Sequence, residues 1–299
     1  MLDTKKKVHL GLALASPSAI RMRPLSPALG VEIRGVDLSQ PLDDEMFEIM
    51  RNFWYEHCVL CIPGQKLGEM DQVRFAERFG ELAVTLHEYE SSKGHPAIMY
   101  VTNEQKDGKY IGALPDGEMF FHSDMCYLER PSTATMLYAM EIPSAGGNTL
   151  FANMYKAYDK LPEQTKLRLA GLKAVNCYDP GPDKSAYTAM ATRNGPPSPT
   201  ARFHAQPIVY AHPATGRKAL YINRLMTEYI VGMPRDESNA LLESLFDHQE
   251  QPQFIYEHRW TPGDVVIWDN RCTLHARTNF SADELRKLRR VTVKGDKLV

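Results

Sequence analysis

The residues of this chain that could hold a metal ion begin with a His-x-Asp triplet. Phe121-His122-Ser123-Asp124 places an imidazole and a carboxylate two positions apart, on what is predicted to be the end of a strand. Side chains two residues apart on a strand point to the same face of the sheet, so both groups could reach one ion. Alone the triplet is a weak signal, and a surface histidine beside an exposed aspartate is the alternative.

A third ligand is offered by His275, which lies just beyond a turn, a buried strand and a second polar turn over residues 263–270. A histidine held near the end of a strand can meet a distant His-x-Asp pair inside a jelly roll. Two histidines and one carboxylate are the ligand set that leaves open coordination positions on non-haem Fe(II). Zinc could take the same three ligands, so the residues that would bind a cosubstrate must decide between the two metals.

Two arginines near the C-terminus indicate such a cosubstrate. Arg286 and Arg290 carry planar guanidinium groups, which make two-pronged contacts with a carboxylate such as the distal one of 2-oxoglutarate. Thr149 could supply a hydroxyl to the same carboxylate. The alternative for this basic segment is a solvated surface, and Lys287 and Arg289 are expected to belong to one.

The elements that must position these residues are predicted to be short strands with helices around them. Alternating apolar and polar residues or short apolar runs predict strands over 30–38, 59–62, 133–140, 207–210, 219–222, 253–260, 264–268 and 290–293. Apolar residues at helical spacing predict helices over 45–57, 70–79, 165–172 and 237–248. This pattern favours a mainly β fold of jelly-roll type with surrounding helices. Two loop-rich stretches, over 88–117 and 179–202, do not read as linkers, so residues 21–299 are expected to form one domain.

Composition and charge exclude two classes of partner. With 43% hydrophobic and 24% charged residues and a formal net charge of -2, the 299-residue chain lacks the basic surface that nucleic acid requires. Apolar runs never approach the roughly 18 residues of a membrane-spanning helix. Residues 5–19 imitate a short secretory signal, but their apolar part is short and is broken by His9, so residues 1–20 are expected to be a flexible tail.

The five cysteines are odd in number and show no disulfide framework, which favours a reducing cytoplasm. Cys58 and Cys61 form a Cys-x-x-Cys motif within an apolar run that is predicted to be a strand. Residues three apart on a strand point to opposite faces, so the two thiols are not expected to meet. Both are expected to be buried and to pack as small apolar side chains.

Several further segments, taken together with the metal and arginine motifs, point to one known family. They span about residues 22 to 296 and are Gly35-Val36-Asp37-Leu38, Phe79-Gly80-Glu81-Leu82, His122-Ser123-Asp124, Pro143-Ser144-Ala145-Gly146-Gly147-Asn148-Thr149, Trp268-Asp269-Asn270-Arg271 followed by His275, and the pair Arg286 and Arg290. These segments occur in the same order in the family of taurine dioxygenase and the 2,4-dichlorophenoxyacetate dioxygenases, which the sequence therefore resembles.

The resemblance implies a double-stranded β-helix fold and a dioxygenase that uses Fe(II), 2-oxoglutarate and O₂. Arg286 and Thr149 match the residues that bind the distal carboxylate of 2-oxoglutarate in the family. Arg290 matches the arginine that faces the acidic group of the primary substrate. The residues that match the family's iron ligands are His122, Asp124 and His275.

The implied primary substrate is a small anionic compound, which is hydroxylated while 2-oxoglutarate is converted to succinate and CO₂. Departures from taurine dioxygenase disfavour taurine: Glu118 replaces an asparagine, and Met226 replaces an aromatic that lines the taurine pocket. The His and Tyr that contact taurine in that enzyme are not in register here, and His87 and Tyr89 are nearby candidates for them. His87, Glu118 and Met226 are therefore expected, with Arg290, to contact the substrate. Residues 254–260 and 285–290 are closer to the phenoxyacetate enzymes, so a carboxylate of the aryloxyalkanoate type is expected. In a dry pocket Arg290, redundant for 2-oxoglutarate, would also require an anionic partner, which this substrate would supply.

Three alternatives remain open at the level of sequence. The first is a sulfonate dioxygenase like the taurine enzyme, and the second is a jelly-roll binding protein that has lost its chemistry. The third is a zinc hydrolase, which would need no arginine for 2-oxoglutarate and should show a general base. Relatives commonly associate, so a homodimer or homotetramer is expected.

Overall fold

The computed structural model of this chain describes residues 20–84, 94–113, 119–179 and 199–298. The tail expected over residues 1–20 lies outside this part of the chain except for Ile20, and so does most of the loop-rich stretch expected over 179–202. Among the described residues, no helix is long and apolar enough to cross a membrane.

A seven-stranded sheet, here called the major sheet, forms one wall of the fold. Its strands in spatial order are β1 (Arg21–Pro24), β2 (Val31–Arg34), β3 (Val59–Ile62), β16 (Val265–Asp269), β8 (Ser132–Glu141), β18 (Lys287–Lys294) and β4 (Ile98–Thr102). Neighbouring strands are antiparallel except for β2 and β3, which are parallel. Strand β18 lies between β8 and the edge strand β4, and Arg286, just before it, and Arg289, within it, are buried.

A four-stranded antiparallel sheet, here called the minor sheet, forms the opposite wall. Its strands in spatial order are β15 (Ile255–His258), β9 (Thr149–Asn153), β17 (Thr273–Arg277) and β7 (Met119–His122). The register places His275 opposite His122, and Arg277 opposite Thr149. The pairing of β17 with β7 therefore brings the distant histidine to the His-x-Asp triplet.

Smaller sheets and five helices surround the two walls. β10 (Lys173–Tyr178) pairs with β11 (Arg202–Pro207) and β14 (Thr227–Ile230), β12 (Val209–Ala211) pairs with β13 (Lys218–Leu220), and β5 (Gln105–Lys106) pairs with β6 (Lys109–Tyr110). The helices are α1 (Asp44–His57), α2 (Glu69–Glu77), α3 (Met154–Asp159), α4 (Glu163–Leu169) and α5 (Arg235–Gln249), and Pro252–Phe254 forms a 3-10 turn.

Helix α1 covers the outer face of the major sheet. The Asp43 carboxylate caps its first turn by accepting a hydrogen bond from the Met46 backbone N–H at 2.7 Å. Phe47, Met50 and Trp54 follow at helical spacing and are buried with Met46. These side chains belong to a core cluster shared with β3, β16 and β18.

The main core lies between the two sheets. Phe151 and Leu274 of the minor sheet pack in one cluster with Leu137, Val266 and Trp268 of the major sheet. Two facing sheets with helices outside them form a jelly roll, so the predicted fold class is confirmed. Strand β3 matches its prediction, whereas β9 and β10 were not predicted, because short half-apolar segments without clear alternation resemble coil.

The basic segment near the C-terminus is a strand, and one expectation about it is wrong. Arg289 is buried rather than solvated, since α2 covers the face of β18 opposite to the one that carries Arg290. Its Nε donates to Gln72 Oε1 at 2.7 Å, and its terminal nitrogen donates to two backbone carbonyls just before α2. Lys287 is half-buried and pairs with Glu104 at 2.6 Å.

Candidate active site

Three side chains from β7, the turn after it and β17 converge between the two sheets. The Nε2 atoms of His122 and His275 lie 4.0 Å and 3.8 Å from carboxylate oxygens of Asp124. The two imidazole centroids are 4.0 Å apart. One ligand atom of each residue lies within 4.8 Å of the other two. The structure thus brings together the three residues that the sequence pattern singled out as metal ligands.

Both imidazoles are placed to bind a metal through Nε2. Nδ1 of His122 lies 2.9 Å from the carbonyl oxygen of Phe120, and when it donates to that oxygen the lone pair is on Nε2. Burial lowers the pKa of His122, and burial together with the neighbouring His122 lowers the pKa of His275 well below its usual value. Neutral imidazole is the form that binds metal ions.

Hydrogen bonds from the major sheet orient Asp124. The hydroxyl of Thr135 donates to its Oδ2 at 2.5 Å and accepts from Asn270 Nδ2 at 3.0 Å. Asn270 Oδ1 in turn accepts from the Asp124 backbone N–H at 3.3 Å and from the Trp268 indole N–H at 3.0 Å. The Trp-Asp-Asn motif therefore fixes both the backbone and the carboxylate of Asp124.

Arg290 contacts the other oxygen of the same carboxylate. Its terminal nitrogen lies 2.8 Å from Asp124 Oδ1. Burial alone would raise the pKa of the Asp124 carboxyl, but Arg290 and the two histidines hold it well below its usual value. The premise that only a substrate could give Arg290 an anionic partner is therefore wrong, because Asp124 is such a partner.

Arg286 lies at the other end of the site and is buried. Its Nε donates to the Gly147 carbonyl at 3.0 Å, and among the described residues it forms no ion pair with a carboxylate. Burial, with a contribution from the cation Arg277, lowers the pKa of Arg286 to about 9. At neutral pH the group is a buried cation, which favours an anionic ligand beside it.

Arg277 is a residue of this region that the sequence interpretation missed. It is buried, lies opposite Thr149 in the sheet register, and contacts the same Phe280 ring as Arg286. The hydroxyl of Thr149 accepts a hydrogen bond from the Trp260 indole N–H at 3.0 Å. Arg277 lies two residues after His275 and therefore on the same face of β17. This spacing was a signal in the sequence that could have identified it.

A cavity with about 460 Å³ of empty space, its open mouth included, joins the two ends of the site. The side chains that line it come from both sheets and are Val101, Met119, His122, Leu137, Thr149, Trp268, His275, Ala276, Arg277, Arg286 and Arg290. The cavity is thus apolar in its middle and cationic at two places.

One residue expected near the substrate, Met226, does not line this cavity. Met226 is buried in a separate cluster, where its sulfur lies 3.5 Å from Cys126 Sγ, and it is absent from the cavity lining. Met119 of the same cluster is the methionine that lines the cavity, so the expectation for Met226 is corrected. His87 and Glu118 lie outside the described residues.

Comparison with known proteins agrees with this geometry. Residues 21–292 match the taurine catabolism dioxygenase TauD, TfdA family. The chain belongs to the TauD/TfdA family. It is 32% identical over 287 residues to (S)-phenoxypropionate/alpha-ketoglutarate-dioxygenase of Sphingobium herbicidovorans, which covers 93% of this chain and 96% of that protein. It is 33% identical over 278 residues to pentalenolactone F synthase of Streptomyces avermitilis, with 88% and 90% of the two chains covered.

A solved structure supports the same conclusion. The crystal structure of AAD-2 in complex with Mn(II) and N-oxalylglycine superposes with a TM-score of 0.79 at 28% identity and covers 94% of this chain and 98% of that chain. The TauD/TfdA protein described here is therefore an enzyme, an alpha-ketoglutarate-dependent dioxygenase that uses Fe(II) and O₂. The alternatives of an inactive binding protein and of a zinc hydrolase are set aside.

The donor set fits the metal that this family requires. Two neutral imidazoles and one carboxylate leave open positions for a cosubstrate and O₂ on Fe(II). When bound, the iron supplies the oxidising chemistry that replaces a substrate C–H bond with C–OH. The protein's own contribution is to orient the ligands and to supply cations at two fixed places in the cavity.

Proposed function

We propose that this enzyme hydroxylates a small carboxylate of the aryloxyalkanoate type, with succinate and CO₂ as coproducts. The observation that carries the proposal is Arg290, a cation on the cavity wall next to both histidines of the triad. The apolar middle of the cavity, with Val101, Met119 and Leu137, suits an aryl or alkyl group. The (S)-phenoxypropionate dioxygenase relative has a substrate of this chemistry in its name.

We assign the metal ligands of the proposed reaction to His122, Asp124 and His275. Thr149 and Arg286 would hold the distal carboxylate of 2-oxoglutarate, with Arg277 adding positive charge. The buried guanidinium of Arg286, which forms no ion pair with a carboxylate among the described residues, supports this assignment, because a dicarboxylate would neutralise it on binding.

Arg290 can serve both the metal centre and the substrate. A guanidinium has five N–H donors, so one edge can contact Asp124 while the other edge faces the cavity. Its Nε–H donates to the Thr292 hydroxyl at 3.1 Å, which fixes the orientation of the planar group. In this arrangement a substrate carboxylate bound by Arg290 has its adjacent carbon near the metal.

A sulfonate would also be attracted by Arg290, and the taurine-type alternative rests on that. A panel separates the two: a phenoxyacetate, both enantiomers of a phenoxypropionate, the neutral amide of the preferred acid, and taurine. Substrate-stimulated succinate formation is measured for each compound. We expect the carboxylic acids to be preferred, and the amide to lose roughly 30-fold or more in kcat/KM, about 2 kcal/mol for a charged hydrogen bond.

Variants of the same strand test the role of Arg290. Arg290→Ala should weaken substrate binding by a similar factor, whereas Lys287→Ala, which removes a cation outside the cavity, should leave kcat/KM unchanged. A neutral compound that is turned over as well as the acids, or an Arg290→Ala enzyme with normal substrate binding, would contradict the proposal.

We also propose that residues 21–299 act as one domain, in the cytoplasm, as a homodimer or homotetramer, without nucleic acid as a partner. Support for the compartment comes from the five cysteines, all of which are free and buried. Light scattering of the purified protein measures the oligomeric state, and a monomer at micromolar concentration would contradict that part of the proposal.

A further inference from the structure

A second cluster of metal-binding side chains lies outside the cavity described above. Cys61 on β3, His258 at the end of β15 and Asp264 just before β16 bring one ligand atom each to within 4.8 Å of the others. Their relative exposures are only 3%, 4% and 4%. None of the three lines the cavity of the active site.

The imidazole of His258 is oriented for a ligand that the protein does not itself supply. Its Nδ1 lies 3.0 Å from the Tyr256 hydroxyl, and when Nδ1 donates to that oxygen the lone pair is on Nε2. Nε2 is buried and has no hydrogen-bond partner among the described residues, although Asp264 Oδ2 lies 3.3 Å away. Asp264 Oδ2 accepts from the Thr261 backbone N–H at 2.9 Å, which fixes the carboxylate beside the ring.

The surroundings of the cluster favour a cation. The buried carboxylate of Asp264 lies beside the Cys61 thiol and the His258 imidazole. Glu32 lies opposite Cys61 in the register of β2 and β3 and is paired with Arg23 and Arg34 at 3.1 Å and 2.6 Å. A buried nitrogen lone pair, a carboxylate and a thiol within 4.8 Å of one another form a site that a divalent metal would stabilise.

We propose that Cys61, His258 and Asp264 form a second metal site, which binds Zn²⁺. A thiolate, an imidazole and a carboxylate are ligands that zinc takes, with the fourth tetrahedral position left to water. On binding, the Cys61 S–H bond breaks, its proton leaves to solvent, and the sulfur forms a bond to zinc without any change of oxidation state. Softer sulfur ligation distinguishes this site from the His₂/Asp centre, which contains no thiolate.

The proposed site links the two sheets of the fold. Cys61 and Asp264 belong to or adjoin strands of the major sheet, whereas His258 belongs to the minor sheet. The edge of the His258 ring packs at 4.5 Å, centroid to centroid, against Trp260, whose N–H bonds to Thr149. Zinc would therefore stabilise the pairing of the sheets next to Thr149, and thermal unfolding should shift upward when it binds.

Cobalt substitution tests the proposal on the full-length protein. Co(II) bound by a thiolate gives a charge-transfer absorption band in the near ultraviolet, which a site made only of histidine and carboxylate cannot produce. Metal-free protein titrated with Co(II) without oxygen should develop this band to the intensity of one thiolate-bound Co(II) per chain, and added Zn²⁺ should bleach it. The band should persist in Asp124→Ala, whose substitution lies in the other centre.

Matched variants make the test specific to these residues. Cys61→Ser should abolish the band, while Cys58→Ser, which changes a buried cysteine three residues earlier, should retain it. His258→Gln should weaken Co(II) binding at least tenfold, and it provides the test if Cys61→Ser does not fold. Absence of the band in the wild type, its persistence in Cys61→Ser, or unchanged Co(II) affinity in His258→Gln would overturn the proposal.

Discussion

Replacement of Gly147 by alanine tests how the buried cation Arg286 is positioned. Gly147 has φ of +64°, and its carbonyl accepts the hydrogen bond from Arg286 Nε at 3.0 Å. A Cβ at this position would lie 3.0 Å from both Cδ and Nε of Arg286 and 3.2 Å from Cγ of Pro143. The guanidinium must therefore move away from the place where 2-oxoglutarate is proposed to bind.

Two costs of Gly147→Ala can be separated. The left-handed backbone costs an alanine about 1 kcal/mol, which lowers stability and shifts the unfolding temperature by roughly 2–4 °C. The displaced Arg286 loses part of a charge-assisted hydrogen bond worth about 1.5–3 kcal/mol. If about half of it is lost, the KM for 2-oxoglutarate rises roughly 3- to 10-fold.

Gly171→Ala is the matched control for this prediction. Gly171 has φ of +76°, but an added Cβ there would meet nothing within 4 Å. It should lose the same stability while its KM for 2-oxoglutarate stays at the wild-type value. Steady-state kinetics with 2-oxoglutarate as the varied reactant measures both variants, and equal KM values for the two would refute the reasoning about Arg286.

Three further predictions concern buried side chains. Thr135→Val removes the hydroxyl that orients Asp124 and should weaken Fe(II) binding roughly 10–100-fold in a competition assay, with wild-type affinity as the contradicting result. Arg286→Ala should raise the KM for 2-oxoglutarate through a loss of about 2–4 kcal/mol of binding free energy, and Arg286→Lys should recover only part of that loss. An unchanged KM would show that another residue binds the distal carboxylate. Arg289→Ala should cost about 2–4 kcal/mol in denaturant unfolding because it leaves the buried Gln72 Oε1 without its donor, and a loss under about 0.5 kcal/mol would show that the buried network is not structural.

The proximity of His122 and Asp124 was predictable from their two-residue spacing. The reason expected for it was incomplete, because β7 ends at His122 and Asp124 lies in the turn after it. Local spacing could not assign His275 to the same site, because the pairing of β17 with β7 joins segments more than one hundred residues apart. That assignment depended on the resemblance to the order of motifs in a known family.

Burial of charged side chains could not be predicted in the same way. Arg289 and Lys287 look alike in the sequence, but only Arg289 meets Gln72 of a distant helix, and a solvated face was expected for both. Arg290 likewise finds its partner Asp124 across the space between the sheets. Met226 was expected at the cavity from alignment with an aromatic, whereas packing around Cys126 places it elsewhere. Such contacts depend on tertiary packing, which local sequence patterns do not encode.

The central claim is that His122, Asp124 and His275 hold the iron with which the enzyme oxidises an anionic substrate. The most direct test is the succinate released per bound iron, with 2-oxoglutarate, O₂ and a phenoxyalkanoate present. Wild-type protein should release many equivalents, while His122→Ala, Asp124→Ala and His275→Ala should bind little Fe(II) and release none, with an unchanged near-ultraviolet circular dichroism spectrum. Wild-type turnover in any one of these three variants would contradict the account.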